Sequence, residues 1–227
     1  MDTESPALQL SPLEARILGS LIEKEVTTPE YYPLTLNALL AACNQKNNRA
    51  PVLMLDEETL ARGIYSLQEK HLLESFAGAN ARALKYRERL TSRLALAPDE
   101  RAVLCELLLR GPQTAGELRA RAARMHPFNA PEEVQATLER LAARMPGPLV
   151  IELPRQPGHK EMRFAHLLGD QPPSAELSQT DLPPPASVAA VMGEVARLTE
   201  LETRVAALEA EIAELKARFE TFKSQLE

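Results

Sequence analysis

The sequence predicts a mainly α fold with small β-hairpins, an α+β arrangement built twice and followed by a separate C-terminal helix. Three observations predict it: a helical motif that recurs in the second half of the chain, a hairpin pattern closing each copy, and a heptad near the C-terminus. Composition agrees. Hydrophobic residues make up 44% of the 227 residues, aromatics only 4%, and Trp is absent. Leu, Ala, Val and Ile must therefore fill the cores, which favours helices over sheets.

The recurring motif is Leu10-Ser-Pro-Leu-Glu-Ala-Arg-Ile-Leu-Gly-Ser-Leu-Ile-Glu-Lys24, which aligns with Leu96-Ala-Pro-Asp-Glu-Arg-Ala-Val-Leu-Cys-Glu-Leu-Leu-Leu-Arg110. Both place apolar residues at matched helical positions, Ile17, Leu18, Leu21 and Ile22 against Val103, Leu104, Leu107 and Leu108. Ser11 and Pro12 read as N-cap and first helical residue, since the missing N–H of Pro costs nothing there. The second copy has Ala97 at the cap and predicts a less well capped helix. Thr35–Leu39 and Thr114–Leu118 predict a short second helix in each copy. Leu60, Ile64 and Leu67, matched by Val134, Leu138 and Leu141, form one buried stripe at i, i+4 and i+7 on a third.

After the third helix each copy turns extended. Leu72–Phe76, Gly78–Asn80 and Leu84–Arg87 read as strand, turn and strand, as do Leu149–Leu153, Gln156–His159 and Met162–Ala165. Three helices followed by a hairpin is the winged-helix arrangement. The expected organisation is a first winged-helix domain at 8–92, a second at 96–170, a Pro-rich linker at 171–186 and a coiled coil at 187–227.

The heptad puts Leu198, Val205, Ile212, Phe219 and Leu226 at position a, and Leu201, Leu208, Leu215 and Phe222 at d. In a parallel dimer Arg197 would meet Glu202, Arg204 would meet Glu209 and Glu211 would meet Lys216, all attractive; Arg218 with Lys223 repels. Val and Ile at a with Leu at d favour two strands. A homodimer through Leu198, Leu201, Val205, Leu208, Ile212, Leu215, Phe219 and Phe222 is the expected assembly.

Composition narrows the function. No stretch approaches the roughly 18 apolar residues of a membrane span. Residues 1–10 carry Asp2 and Glu4 and lack the basic and hydrophobic regions of a signal peptide. Cys43 and Cys105 lie in helical apolar patterns and read as buried reduced thiols, so a cytoplasmic location is expected. The four His and two Cys show no metal-ligand spacing, and no P-loop, dinucleotide fingerprint or nucleophile elbow occurs. Glutamates such as Glu23, Glu25, Glu57 and Glu58 read as solvated helix faces or first-turn dipole partners. Neither enzyme chemistry nor a cofactor is expected.

Net charge is −6. Residues 171–227 carry 5 basic and 10 acidic side chains, 1–90 carry 10 and 12, and 91–170 carry 11 and 10. The acidity belongs mostly to the tail, and local patches decide. The first hairpin and its continuation carry Arg82, Lys85, Arg87, Arg89 and Arg93 with Tyr86 interleaved, where a wing would reach phosphates. The turn before the third helix holds Lys46, Asn47, Asn48 and Arg49, and the helix offers Arg62; all can bond phosphate or base edges. A DNA-binding or transcription-related regulatory factor acting as a dimer is thus the first function expected, with duplex DNA as its partner. Asp56-Glu57-Glu58, opening that same helix, would repel it. The Arg residues at 119, 121 and 124 spread around a helix and read as solubilising.

The stretch Leu10-Ser-Pro-Leu-Glu-Ala-Arg-Ile-Leu-Gly-Ser-Leu-Ile-Glu-Lys-Glu-Val-Thr-Thr-Pro-Glu-Tyr-Tyr-Pro-Leu-Thr-Leu-Asn-Ala-Leu-Leu, continuing through Cys43-Asn-Gln-Lys-Asn-Asn-Arg49 to Pro51-Val52, resembles the YceH-like family of uncharacterised bacterial proteins. The resemblance implies tandem winged-helix domains and no assigned activity. A second functional expectation comes from analogy of fold: a protein-interaction adaptor in a larger assembly, without direct DNA contact. Tyr31-Tyr32-Pro33 would be an interface candidate there; the alternative packs them between helices one and two, with Pro33 in the first turn of helix two.

Overall fold

In the computed structural model the described residues are 8–77, 83–155 and 161–169. The chain divides into two compact units, 1–176 and 177–227. The expected linker and coiled coil, with Leu198, Leu201, Val205, Leu208, Ile212, Leu215, Phe219 and Phe222, lie outside the described residues, as does Arg82. The described part contains seven α-helices and two small antiparallel sheets.

Helix α1 (Pro12–Thr27) starts at a full capping box, in which Glu14 N–H donates to Ser11 Oγ (3.3 Å) and Ser11 N–H donates to Glu14 Oε2 (2.7 Å). Its Ile17, Leu18, Leu21 and Ile22 are completely buried. A 3-10 turn (Pro29–Tyr31) leads into strand β1 (Leu34–Thr35), and Thr35 caps α2 (Leu36–Cys43). Pro33 therefore precedes β1 and does not enter the first turn of helix two: Leu34 is taken by the sheet, opposite Tyr86, and the Thr35 hydroxyl supplies the cap.

Helix α3 (Glu57–Glu69) is capped by Asp56 and buries Leu60, Ile64 and Leu67 as their spacing requires. Strands β2 (Leu73–Phe76) and β3 (Lys85–Glu88) then pair antiparallel, and β1 adds to the other side of β3.

The second copy repeats this order after one helical turn, α4 (Leu90–Arg93). It runs α5 (Pro98–Arg110), α6 (Ala115–Ala122), α7 (Pro131–Ala142), β4 (Val150–Leu153) and β5 (Arg163–His166). Gln113 stands where β1 stood: its N–H donates to Phe164 O (3.0 Å) and its carbonyl accepts from Phe164 N–H (2.7 Å). At α5 only half of a capping box survives, because Ala97 has no side-chain acceptor while Glu100 still accepts from Ala97 N–H (3.0 Å). In both copies the N3 glutamate of the first helix is anchored by a cation from the end of the third. Lys70 Nζ lies 2.8 Å from Glu14, and Arg144 Nη1 lies 2.6 Å from Glu100.

The two copies share one hydrophobic core. Helices α1 and α5 pack face to face around Gly19, where an added Cβ would stand 2.8 Å from Leu109 Cδ2 and 3.2 Å from Leu108 Cβ. The ends of the duplication also meet, since Leu10 N–H donates to Leu168 O (2.6 Å). Cys43 and Cys105 are free and buried, and burial raises both thiols, Cys43 to about 11. Among the described residues no helix is long and apolar enough to cross a membrane.

Candidate interaction surface

The segment between α2 and α3, residues 44–56, has no regular structure, whereas its counterpart between α6 and α7 is shorter, residues 123–130. A loop of this length leaves backbone polar groups that need partners. Side chains supply them. Asn44 caps α2 and closes the loop on itself, its Nδ2 donating to Leu55 O (2.8 Å) and its Oδ1 accepting from Leu55 N–H (2.7 Å). Arg16, from the middle of α1 and 3% exposed, donates to Cys43 O (3.1 Å) and Pro51 O (2.6 Å). Burial, with the charge of Arg49 nearby, lowers its pKa to about 10, still cationic at neutral pH.

Arg49 enters from the loop itself. Its Nε and Nη2 donate to Ala42 O (3.2 and 2.9 Å), and its Nη1 donates to Asn48 O (2.9 Å). Nη1 and Nη2 grip both oxygens of Glu23 at 3.2 and 2.5 Å. Burial raises the Glu23 carboxyl while Arg49 and Arg124 oppose it, and the net result is a carboxyl below the ordinary range. The second copy holds the same loop from behind. Ala50 N–H donates to Leu109 O (3.0 Å), and Arg110 donates to Asn48 Oδ1. Arg124 joins Glu23 to Glu106, and Arg110 Nε lies 3.1 Å from Glu106. One carboxylate, Glu23, thus takes an arginine from each copy.

Of the four loop residues singled out in the sequence, only Lys46 and Asn47 face solvent; Asn48 is half-buried and Arg49 is 5% exposed. The outer side of the loop instead shows apolar residues, Val52 at 52% and Met54 at 95% exposure. Next to it, α3 exposes Glu57, Glu58, Ala61, Arg62, Tyr65 and Glu69. Arg62 lies 3.8 Å from Glu58 and donates to Thr59 Oγ1 (3.2 Å).

Two of the hairpin cations, Arg87 and Arg89, are also engaged. Arg87 faces Glu74 across the strands and donates to it through Nε (2.8 Å), while Arg89 Nε lies 3.5 Å from the second Glu74 oxygen. The Arg87 guanidinium stands 5.7 Å from the Phe76 ring centroid. Arg87 holds the Glu74 carboxyl below its usual range. Lys85 is half-buried and Tyr86 is buried. Tyr31 is exposed, whereas the Tyr32 hydroxyl accepts from Glu88 N–H (2.9 Å) and burial pushes its ionisation upward.

Glu23, expected on a solvated helix face, is instead 1% exposed, and Arg124, expected to be merely solubilising, bridges it to Glu106. Sequence reasoning passed over Glu74, Glu106, Arg16 and Arg110 as organising residues. Glu74 carried a readable signal, since the hairpin register puts it opposite Arg87. Glu106 and Arg110 also stand one helical turn apart and meet at 3.1 Å. The contacts of Glu23 and Arg16, and that of Arg110 with Asn48, cross distant segments, and no local spacing reports those.

Comparison with known proteins is consistent with this architecture being a shared one. Residues 10–159 match the family described as "Protein of unknown function, DUF480". The chain is 53% identical to a UPF0502 protein of Geobacter sulfurreducens, covering 96% of this chain and 98% of the relative. It is 54% identical to a UPF0502 protein of Geotalea daltonii with the same coverages, and 47% identical to one of Opitutus terrae, covering 90% and 85%. These matches do not carry the YceH-like name expected from the sequence, but they agree that the family is uncharacterised. The chain belongs to the DUF480, or UPF0502, family of uncharacterised bacterial proteins.

Proposed function

We propose that this protein is a non-enzymatic, cytoplasmic tandem winged-helix adaptor that works as a dimer through its C-terminal heptad. Its docking surface is loop 44–56 together with the outer face of α3. The winged-helix assignment is supported by the repeated order of three helices and a hairpin, and by the third sheet position filled in each copy, β1 in one and Gln113 in the other.

The observation that carries the adaptor role is the support under the loop. Two buried arginines, Arg16 and Arg49, hold a backbone segment whose outer side presents Val52 and Met54 to water. Burying two guanidinium groups costs several kcal/mol each before pairing repays it. A loop held at that cost and tipped with exposed apolar side chains has the character of a contact surface.

A phosphate-binding role has a narrower base. Lys46, Asn47 and Lys85 remain available, but Arg49 is internal, Arg87 and Arg89 share Glu74, and Glu57 and Glu58 stand at the exposed start of α3. Phosphate affinity comes from cations free to replace counterions; among the described residues Arg49 is fully paired and Glu74 offsets one of the two charges of Arg87 and Arg89.

The test captures partners from native extract with full-length bait, in parallel with a Val52→Asp/Met54→Asp bait. A protein retained by the parent and lost by the folded variant supports an adaptor. Identical partner sets for the two baits would remove the loop as the docking surface.

A further inference from the structure

We infer that the partner docking on α3 is a basic protein segment carrying one large aliphatic or aromatic anchor residue. This rests on the adaptor reading and specifies the chemistry of its partner.

The outer stripe of α3 runs Glu58, Arg62, Tyr65, Glu69, spaced by four, three and four residues, so these side chains share one face. Tyr65 is 65% exposed in the middle of the stripe, with the small Ala61 beside it, leaving a ring surface that a neighbour can cover. Met54, at 95% exposure, stands just before the helix cap. A large apolar side chain set between them would remove apolar area from water on both partners.

Charge sets the sign of the partner. Asp56, Glu57, Glu58 and Glu69 are all exposed around this face. Asp56 also accepts from Thr59 N–H (2.7 Å), and the Thr59 side chain and backbone together hold its carboxyl below the ordinary range. Arg62, the cation on the stripe, is already beside Glu58. Lys and Arg on an incoming segment meet complementary charge, while an acidic peptide or a phosphate backbone meets repulsion.

The second copy supplies an internal control. The register that matches Leu60 with Val134 and Ile64 with Leu138 sets Glu132 against Glu58 and Glu139 against Tyr65. Helix α7 is therefore also acidic on its outer face, with Glu132, Glu133 and Glu139 exposed, but has no aromatic at the central position. Its preceding loop turns Phe128 inward, to 7% exposure, where the first copy turns Met54 outward. If acidity alone attracted basic segments, both helices would do so equally.

The test uses full-length protein and fluorescence anisotropy with three labelled peptide pools of equal length. One pool is Lys/Arg-rich with Leu, Met or Phe fixed at its centre, the second has Ser at that centre, and the third has Asp/Glu for the cations. The first pool binds, and binding falls about tenfold or more, equivalent to ~1.4 kcal/mol, in Tyr65→Ser and in Glu58→Lys/Glu69→Lys. The matched variant Glu132→Lys/Glu139→Lys binds as the parent does. Equal binding of the Ser-centred pool, equal loss in the α7 variant, or failure of the first pool to bind overturns the inference. A native partner lost from the Val52/Met54 bait but indifferent to Glu58→Lys/Glu69→Lys would leave the adaptor role standing and remove only the basic-segment chemistry.

Discussion

Cys105 Sγ lies 3.3 Å from the carbonyl oxygen of Gly19, and these two residues occupy the same place in the duplicated motif. The first helices of the two copies thus meet at equivalent points, as the two halves of an isologous contact do. The first helix of each copy buries its outward face against its counterpart as well as its inward face against its own α2 or α6. This explains why α1 is buried almost continuously from Glu14 to Glu23.

Gly19 makes that approach possible. A methyl group there would stand 2.8 Å from Leu109 Cδ2, 2.9 Å from Leu109 Cγ and 3.2 Å from Leu108 Cβ, so α1 and α5 must separate to admit it. Gly19→Ala is expected to cost ~1–3 kcal/mol through overpacking, read as a lower midpoint in urea unfolding. An unchanged midpoint would show that Leu109 can yield without moving the helices.

Glu23 is the carboxylate on which both copies converge. Glu23→Ala leaves the buried Arg49 facing a void and takes one of two carboxylates from Arg124. Breaking a buried pair in this way costs ~3–5 kcal/mol, more than an average core truncation of one methyl group. Urea unfolding of the variant at neutral pH measures it directly. A loss below ~1 kcal/mol would mean that water reaches the site and replaces the carboxylate.

His166 predicts a pH dependence. Its Nδ1 has no hydrogen-bond partner among the described residues, and burial lowers its pKa from 6.5 to about 4. The folded protein therefore holds this imidazole neutral, while the unfolded chain takes up a proton below 6.5. Its contribution is fully present above pH 6.5 and is lost as pH falls towards 4, at up to about 1.4 kcal/mol per pH unit. His166→Gln should flatten the fall in stability between pH 7 and 5. The same slope in parent and variant would assign the effect to other groups.

The heptad makes a prediction independent of the folded unit. Removing residues 187–227 should convert a dimer to a monomer in sedimentation equilibrium without changing the unfolding midpoint of the remainder. A truncated protein that still sediments as a dimer would place the dimer contact elsewhere.

Local periodicity made much of this fold readable. The apolar spacing of 10–24 and 96–110 corresponds to α1 and α5, Leu60, Ile64 and Leu67 to the inner face of α3, and the two extended stretches to β2–β3 and β4–β5. Ser11-Pro12 fixed the start of α1 through a cap that acts within three residues, whereas the Thr35 cap of α2 went unread and the alternative start at Pro33 fell too early. The short elements were missed. Strand β1 is two residues long and α4 a single turn, too short for any period to register. The interaction surface was legible only in outline. Lys46, Asn47 and Arg62 are exposed as their polarity suggests, but Arg16 and Arg49 are internal because carbonyls and a carboxylate from distant segments surround them. Charge type in a sequence reports average exposure, and a buried arginine is the case in which the partner decides.

Whether the first copy presents its outer surface to protein or to phosphate is tested most directly by fluorescence polarisation. The full-length protein is titrated into a mixed pool of labelled duplex DNA across a salt series, beside a variant with Arg82, Lys85, Arg87 and Arg89 reversed to Glu. With Arg49 internal and Glu74 occupying Arg87 and Arg89, weak binding is expected even at low salt, with a shallow salt slope that the variant shares. Tight binding that falls steeply with salt and disappears in the variant would contradict the adaptor role and make the first hairpin a DNA-binding wing.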